Sequence, residues 1–140
     1  MSSRLLLFDA SSILILIRSL GMGALKFLNG ASTISLVYYE VGNALWREYF
    51  LLRRISLEEA VRILERIFAI LRMMDVMVLD DERSCRVILR VAGRLGITYY
   101  DASYLIGAQI SNRILVTDDE RLREAAKRVN VKALTSHDLM

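Results

Sequence analysis

Five carboxylates from separate parts of the chain are the residues best suited to chemistry. Asp9 interrupts an apolar stretch, and Glu40 lies in a mostly apolar segment. A charged side chain in such surroundings usually has a charged partner or a bound metal ion. Asp101, Asp118 and Asp119 stand where helices are predicted to begin, so capping a helix is the alternative role for each of them.

Carboxylates that gather at one place repel one another, which raises their pKa values and destabilises the fold. A divalent cation such as Mg²⁺ or Mn²⁺ relieves that repulsion, because these ions prefer oxygen ligands. The bound cation can activate a water molecule and stabilise in-line attack on a phosphodiester. That chemistry needs neither His137 nor Cys85, which are the only histidine and cysteine of the chain.

Short apolar runs alternate with longer helical patterns along the chain. This alternation predicts an α/β fold with a parallel sheet that is covered by helices on both faces. The predicted strands are residues 5–8, 33–35, 76–79, 114–116 and 131–133. The first predicted helix starts at Ser11 or Ser12 and ends at Leu20. Further helices are predicted over residues 24–28, 37–52, 56–74 and 101–110. Two more are predicted from Asp80 or Asp81 to Leu95 and from Asp118 or Asp119 to Val129.

The predicted elements bring the acidic residues to one edge of the sheet. Ligands of parallel sheets bind beyond the carboxyl ends of the strands. Asp9 directly follows the first predicted strand, Glu40 lies in the first turn of the helix after the second strand, and Asp118 and Asp119 follow residues 114–116. At least three acids should therefore meet there, and Asp101 could join them.

Composition bounds the remaining possibilities. The chain has 140 residues, of which 54% are hydrophobic and 25% are charged, and its formal net charge is +3. This balance suits a globular protein, and the lack of a linker or repeat predicts one domain over residues 1–140. The single cysteine excludes an internal disulfide. The early apolar stretch is interrupted by Asp9, Ser11 and Ser12, so we expect no membrane span, no signal peptide and a cytoplasmic location.

Four sequence blocks surround the acidic residues: Asp-Ala-Ser at 9–11, and the segments 39–45, 99–104 and 115–122. In their order and separation they resemble the PIN-domain ribonucleases, and especially the toxin subunits of Vap-type (VapC-like) toxin–antitoxin pairs. The fourth block of that family has a Thr, a variable residue and an Asp. This register matches Thr117 and Asp119, and it leaves Asp118 as a neighbour.

The resemblance implies a three-layer α/β/α sandwich with a central parallel sheet. It also implies endonucleolytic cleavage of RNA that depends on Mg²⁺ or Mn²⁺, in the toxin of a type II toxin–antitoxin pair. By the same resemblance, Asp9 and Asp101 would ligate the metal directly. Glu40 and Asp119 would complete the acidic pocket, directly or through water, and help to orient the attacking water.

Three polar residues are expected to support these acids. By the resemblance, Ser11 and Thr117 would hydrogen-bond the carboxylates and fix their rotamers. Asn43 lies one turn after Glu40, so it either faces the same pocket or is an exposed polar helix residue.

Two further surfaces could bind partners. Residues 44–46 and 49–52 are too apolar for a helix with one solvent-exposed face, so we expect them to meet a second chain or to be buried in the core. The resemblance implies an antitoxin peptide or a second protomer of a homodimer. Arg83, Arg86, Arg90 and Arg94 form a helical stripe that either holds RNA phosphates or is an ordinary solvated face.

Two rival functions remain at this stage. A PIN fold without activity would bind RNA or protein and cut nothing, although four acids that repel one another would then have no purpose. A small metal-assisted phosphatase is the other rival. It is disfavoured because Asp9 is followed by Ala10 and Ser11, whereas one such class begins with Asp-x-Asp.

Overall fold

The computed structural model describes residues 2–140. Its strands are β1 Leu6–Phe8, β2 Ser32–Ile34, β3 Asp75–Met77, β4 Ile114–Val116 and β5 Ala133–Leu134. Its helices are α1 Ala10–Leu20, α2 Leu25–Leu28, α3 Leu36–Trp46, α4 Leu57–Leu71, α5 Glu82–Leu95, α6 Tyr99–Ser111 and α7 Glu120–Arg128. Short 3₁₀ turns cover Ser3–Leu5 and Gly21–Ala24, and a π turn, Arg47–Leu51, continues α3.

The five strands form one sheet in the order β3-β2-β1-β4-β5, and every pair is parallel. Side chains alternate between the two faces of a strand, so neighbouring residues of β1 enter different cores. Leu6 and Phe8 pack in one cluster with side chains of α1, α3 and α4. Leu7 packs in a second cluster with side chains of α5, α6 and α7. The predicted three-layer α/β/α sandwich is confirmed.

Several helix ends differ from the predicted ones, and the differences in α3 and α6 concern helices that carry acids of the site. Residues 37–52 were expected to form one helix, whereas the α-helix ends at Trp46 and the backbone continues as a π turn. Helix α6 begins at Tyr99 rather than at Asp101, because Thr98 caps it: Thr98 Oγ1 accepts the Asp101 N–H at 3.0 Å. Asp101 therefore lies in the first turn, and capping does not occupy its carboxylate.

The start of α4 follows the sequence pattern. Ser56 Oγ accepts the Glu59 N–H at 3.1 Å, and the Glu59 carboxylate accepts the Ser56 N–H at 3.2 Å. This reciprocal pair satisfies two backbone donors that a helix start would otherwise leave unpaired. The predicted cap at Ser56 is confirmed.

The run Ala10–Leu28 is apolar and long enough to cross a membrane by length and composition. It is not one regular helix: α1 ends at Leu20, the φ of 56° at Gly21 departs from helical geometry, and a 3₁₀ turn precedes α2. Ile13 and Leu16 of α1 are fully buried in the first core cluster. One face of α1 thus packs into the core, and the absence of a membrane span stays a prediction.

Candidate active site

Asp9 ends β1 and caps α1, which places it at the carboxyl edge of the sheet. Its Oδ1 accepts the backbone N–H of Ser12 at 2.9 Å and the Ser12 hydroxyl at 2.7 Å. Only 6% of the Asp9 surface is exposed. Burial raises the pKa of Asp9, because it disfavours the charged form, while hydrogen bonds from Thr117 and Ser12 oppose that shift.

Ser12, and not the predicted Ser11, holds this carboxylate. Ser11 is exposed, whereas Ser12 is completely buried and its hydroxyl also lies 2.9 Å from the carbonyl oxygen of Val116. The reason is helix geometry. The side chain that caps a helix accepts from the second or third helical residue, and Ser12 is the third residue of α1.

Glu40 lies on α3, and its carboxylate is fixed from the opposite face of the sheet. Glu40 Oε1 accepts the Tyr104 hydroxyl at 2.7 Å. Burial raises the pKa of Glu40, the Tyr104 hydrogen bond lowers it, and the charges of Asp9 and Asp101 raise it further. Tyr104 is 1% exposed, and it was missed in the sequence. Its spacing was a usable signal, since Tyr104 is three residues after Asp101 and so shares its helix face.

Asp101 lies in the first turn of α6 and Asp119 caps α7, both on the other side of the site. Burial raises the pKa of Asp101, and the charge of Asp119 adds to that shift. Asp119 caps α7, since its Oδ1 accepts the Leu122 N–H at 3.0 Å. The buried Thr117 connects the two sides: its Oγ1 accepts the Asp119 N–H at 3.2 Å, and its hydroxyl hydrogen-bonds Asp9.

The four predicted acids are linked by pairwise charge interactions at this edge of the sheet. Asp9 and Asp101 both act on Glu40, and Asp119 acts on Asp101, in each case raising the pKa of a neighbouring carboxyl. Charge–charge effects of this kind require short separations, since water screens distant charges. Asn43 lines the same cavity as Glu40, so it adjoins this acidic site.

Asp118 has a different role from the four. Its Oδ1 accepts the Ser136 N–H at 3.0 Å and the Ser136 hydroxyl at 2.9 Å, and Ser136 is fully buried. Asp118 thereby holds the C-terminal segment against the end of β4. The geometry agrees with the register in which Asp119 is the acid of the site.

An oxygen-binding cation fits these residues, but only as a hydrated ion. No three Asp, Glu, His or Cys side chains within residues 2–140 form a group close enough to hold a metal by themselves. Mg²⁺ commonly binds through one or two carboxylates, keeps several waters and takes further oxygens from a substrate phosphate. Mutually repelling carboxylates at an open edge match that mode, whereas a closed thiolate or imidazole cage of the zinc type does not.

Comparisons with known proteins agree with this arrangement. Residues 6–128, which include all four acids, match the PIN domain family. Exonuclease VapC9 of Pyrobaculum aerophilum is 35% identical over 103 residues, or 74% of this chain and 72% of that protein. The crystal structure of PAE2754 from the same organism superposes with a TM-score of 0.78 at 30% identity, covering 96% of this chain and 92% of that one.

The resemblance that the four sequence blocks suggested is thus confirmed by the match to the family and by the identity to a VapC protein. By its fold, its acidic edge and its sequence, this chain belongs to the PIN-domain family.

Proposed function

We propose that this protein is a metal-dependent endoribonuclease that hydrolyses RNA phosphodiester bonds with Mg²⁺ or Mn²⁺. The observation that carries the proposal is the convergence of Asp9, Glu40, Asp101 and Asp119, whose charges raise the pKa values of Glu40 and Asp101. The similarity to a protein named an exonuclease supports nuclease chemistry. Its VapC name supports a role as the toxin of a type II pair with a cognate antitoxin.

A divalent ion bound at this edge would supply positive charge to the phosphate oxygens and acidify a water molecule. Asp9 and Asp101 would hold that ion, because they lie at the ends of rigid elements on either side of the site. Glu40 is suited to accept a proton from the attacking water, since a raised pKa makes a carboxylate a stronger base. Tyr104 keeps the Glu40 carboxylate in one orientation, and Ser12 and Thr117 do the same for Asp9.

A circular single-stranded RNA is the sharpest substrate for the test, because a circle has no end at which an exonuclease could start. We expect the parent protein to linearise the circle in Mn²⁺ and to leave it intact in EDTA. Asp9→Asn and Asp101→Asn should leave it intact in both. Glu58→Gln, on the exposed first turn of α4, is the matched carboxylate control and should cut like the parent.

Each outcome of that experiment decides a separate claim. Degradation of linear RNA alone would replace the endonuclease with an exonuclease. Binding of the circle without cleavage in any divalent ion would favour the catalytically silent module. Cleavage by both Asp variants at the parental rate would refute the assignment of the site.

The π turn and the residues beside it form an exposed apolar surface that a protein partner could cover. Trp46, Phe50, Leu51 and Leu52 are all exposed, and the Trp46 and Phe50 rings stack 5.5 Å apart. The alternative of a core position is confirmed for Leu45, which is 4% exposed, and is wrong for these four side chains. An antitoxin or a second protomer would cover them, as the VapC similarity suggests, and we place the protein in the cytoplasm with its RNA. Light scattering of the protein alone and co-purified with the product of a neighbouring gene tests both partners.

A further inference from the structure

A cavity of about 620 Å³ opens beside Glu40, and the proposed chemistry leaves it unassigned. Tyr39, Asn43 and Arg47 form one wall. They are spaced four residues apart, so they lie along one face of the helix and its π turn. Tyr100, next to Asp101 in the first turn of α6, also lines the cavity. The volume falls in the range of about 300–1,000 Å³ that small-ligand sites occupy.

The two tyrosines of this cavity have free ring faces. Tyr39 is 80% exposed and Tyr100 is 59% exposed. Neither ring belongs to the aromatic pairs that form within residues 2–140. Two exposed rings that flank one cavity offer flat apolar surfaces, and a nucleic-acid base covers such surfaces by stacking.

The polar groups of the cavity suit the rest of a nucleotide. Arg47 is exposed and takes part in none of the ion pairs among residues 2–140, so its guanidinium is available to a phosphate. The Asn43 amide is exposed and carries both hydrogen-bond donors and an acceptor. The edge of a base also carries donors and acceptors, so the amide can pair with it. A double helix does not offer an unstacked base, so this set of groups selects a single strand.

We propose that this cavity binds one unpaired base of the RNA substrate, stacked on Tyr39 and Tyr100. Asn43 hydrogen-bonds the edge of that base, and Arg47 contacts the adjoining phosphate. The proposal rests on the proposed function, because it takes the ligand to be RNA. It adds that the strand is held next to Glu40 by a base, and that the site recognises single-stranded RNA.

The test measures binding in EDTA, so that cleavage plays no part in it. Two fluorescein-labelled probes of equal length are titrated by fluorescence anisotropy: oligo(U) and the same ribose–phosphate backbone without bases. We expect Tyr39→Ala and Tyr100→Ala to weaken oligo(U) binding by about fivefold or more, as the loss of one base–aromatic contact does. Tyr39→Phe and Tyr100→Phe should bind like the parent, because phenylalanine keeps the stacking face.

The abasic probe separates stacking from phosphate binding. The parent should bind it more weakly than oligo(U), and the alanine variants should lose most of that distinction. Arg47→Gln should weaken both probes by the same factor, because both carry phosphates. Tyr38→Ala removes a ring that is 37% exposed but lies outside the cavity, so it should bind both probes like the parent.

Three results would overturn the proposal. One is parental oligo(U) affinity in both alanine variants while circular dichroism shows them folded. Another is an equal loss of affinity for oligo(U) and for the abasic probe in those variants, which would mean that no base is stacked. A third is normal RNA binding with lost binding of a co-expressed protein partner, which would make the cavity a docking site for that protein. None of these results depends on cleavage, so the proposed nuclease activity can fail or hold separately.

Discussion

Replacing Tyr104 with phenylalanine isolates one hydrogen bond at the centre of the site. The Tyr104 hydroxyl donates to Glu40 Oε1 over 2.7 Å from a position that is 1% exposed. Tyr104→Phe removes that hydroxyl and leaves the ring, so the core keeps its packing. The partly buried Glu40 carboxylate then loses a donor that solvent replaces incompletely.

The expected cost follows from the charge of the acceptor. A hydrogen bond to a charged group contributes about 1.5–3 kcal/mol, against about 0.5–1.5 kcal/mol for a neutral pair. For a chain of this length that corresponds to a decrease of roughly 4–10 °C in the melting temperature at neutral pH. Below the pKa of Glu40 both partners are neutral, so the difference between variant and parent should shrink as the pH falls.

Catalysis should change in a direction that a purely structural effect would not produce. The Tyr104 hydrogen bond lowers the pKa of Glu40, so its loss raises that pKa further. If Glu40 acts as the base, the acid limb of the pH–rate profile for RNA cleavage moves to higher pH in Tyr104→Phe.

Tyr38→Phe is the matched control, because Tyr38 is exposed and its hydroxyl makes no side-chain hydrogen bond within residues 2–140. It should melt within about 1 °C of the parent, as surface substitutions do. The reasoning is refuted if Tyr104→Phe matches the parent both in melting temperature at neutral pH and in its pH–rate profile.

Two further predictions concern the charges and their support. Burial raises the pKa values of Asp9, Glu40 and Asp101, so the folded state binds more protons than the unfolded state at pH values between the unfolded and the folded pKa values. Without metal, the free energy of unfolding should therefore fall as the pH rises through the folded pKa values. Mn²⁺ should restore that free energy, and calorimetry with and without EDTA measures both effects. Ser12→Ala should reduce the free energy of unfolding, measured in urea, by about 1–3 kcal/mol, because it removes a buried hydrogen-bond donor to Asp9. Ser11→Ala, at an exposed position, should change that free energy by less than about 0.5 kcal/mol. Equal effects of the two substitutions would contradict the assignment of Ser12.

The sheet could be predicted from sequence wherever its strands are buried. Residues 114–116 were placed correctly, because a central strand covered on both faces is an uninterrupted apolar run. Strand β3 was predicted over residues 76–79 but spans Asp75–Met77. It lies at the sheet edge and starts at the exposed Asp75, where the apolar signal is weak. Its position is set by pairing with β2, which local sequence does not reveal.

The acids of the site were predictable for a related reason. Asp9 and Asp119 come shortly after strands, and Glu40 lies near the start of the helix that follows β2, so the topology directs these three to one edge of the sheet. The residues that hydrogen-bond these acids were harder to predict, because side-chain geometry decides which of them reach the carboxylates. Ser11 and Ser12 are adjacent and chemically identical, and only the helix phase decides which one reaches Asp9. The spacing of Tyr104 from Asp101 indicates the helix face it shares, but its contact with Glu40 spans 64 residues of chain and no local pattern identifies that partner.

Binding of Mn²⁺ is the measurement that tests the central claim most directly. Isothermal titration of the parent should show a divalent ion bound at the acidic edge, and Asp9→Asn, Asp101→Asn, Glu40→Gln and Asp119→Asn should each weaken that binding. Glu58→Gln should bind like the parent, because Glu58 lies on the exposed start of α4. If all four site variants bind Mn²⁺ as tightly as the parent does, these carboxylates do not hold a common ion, and the account of the site is wrong.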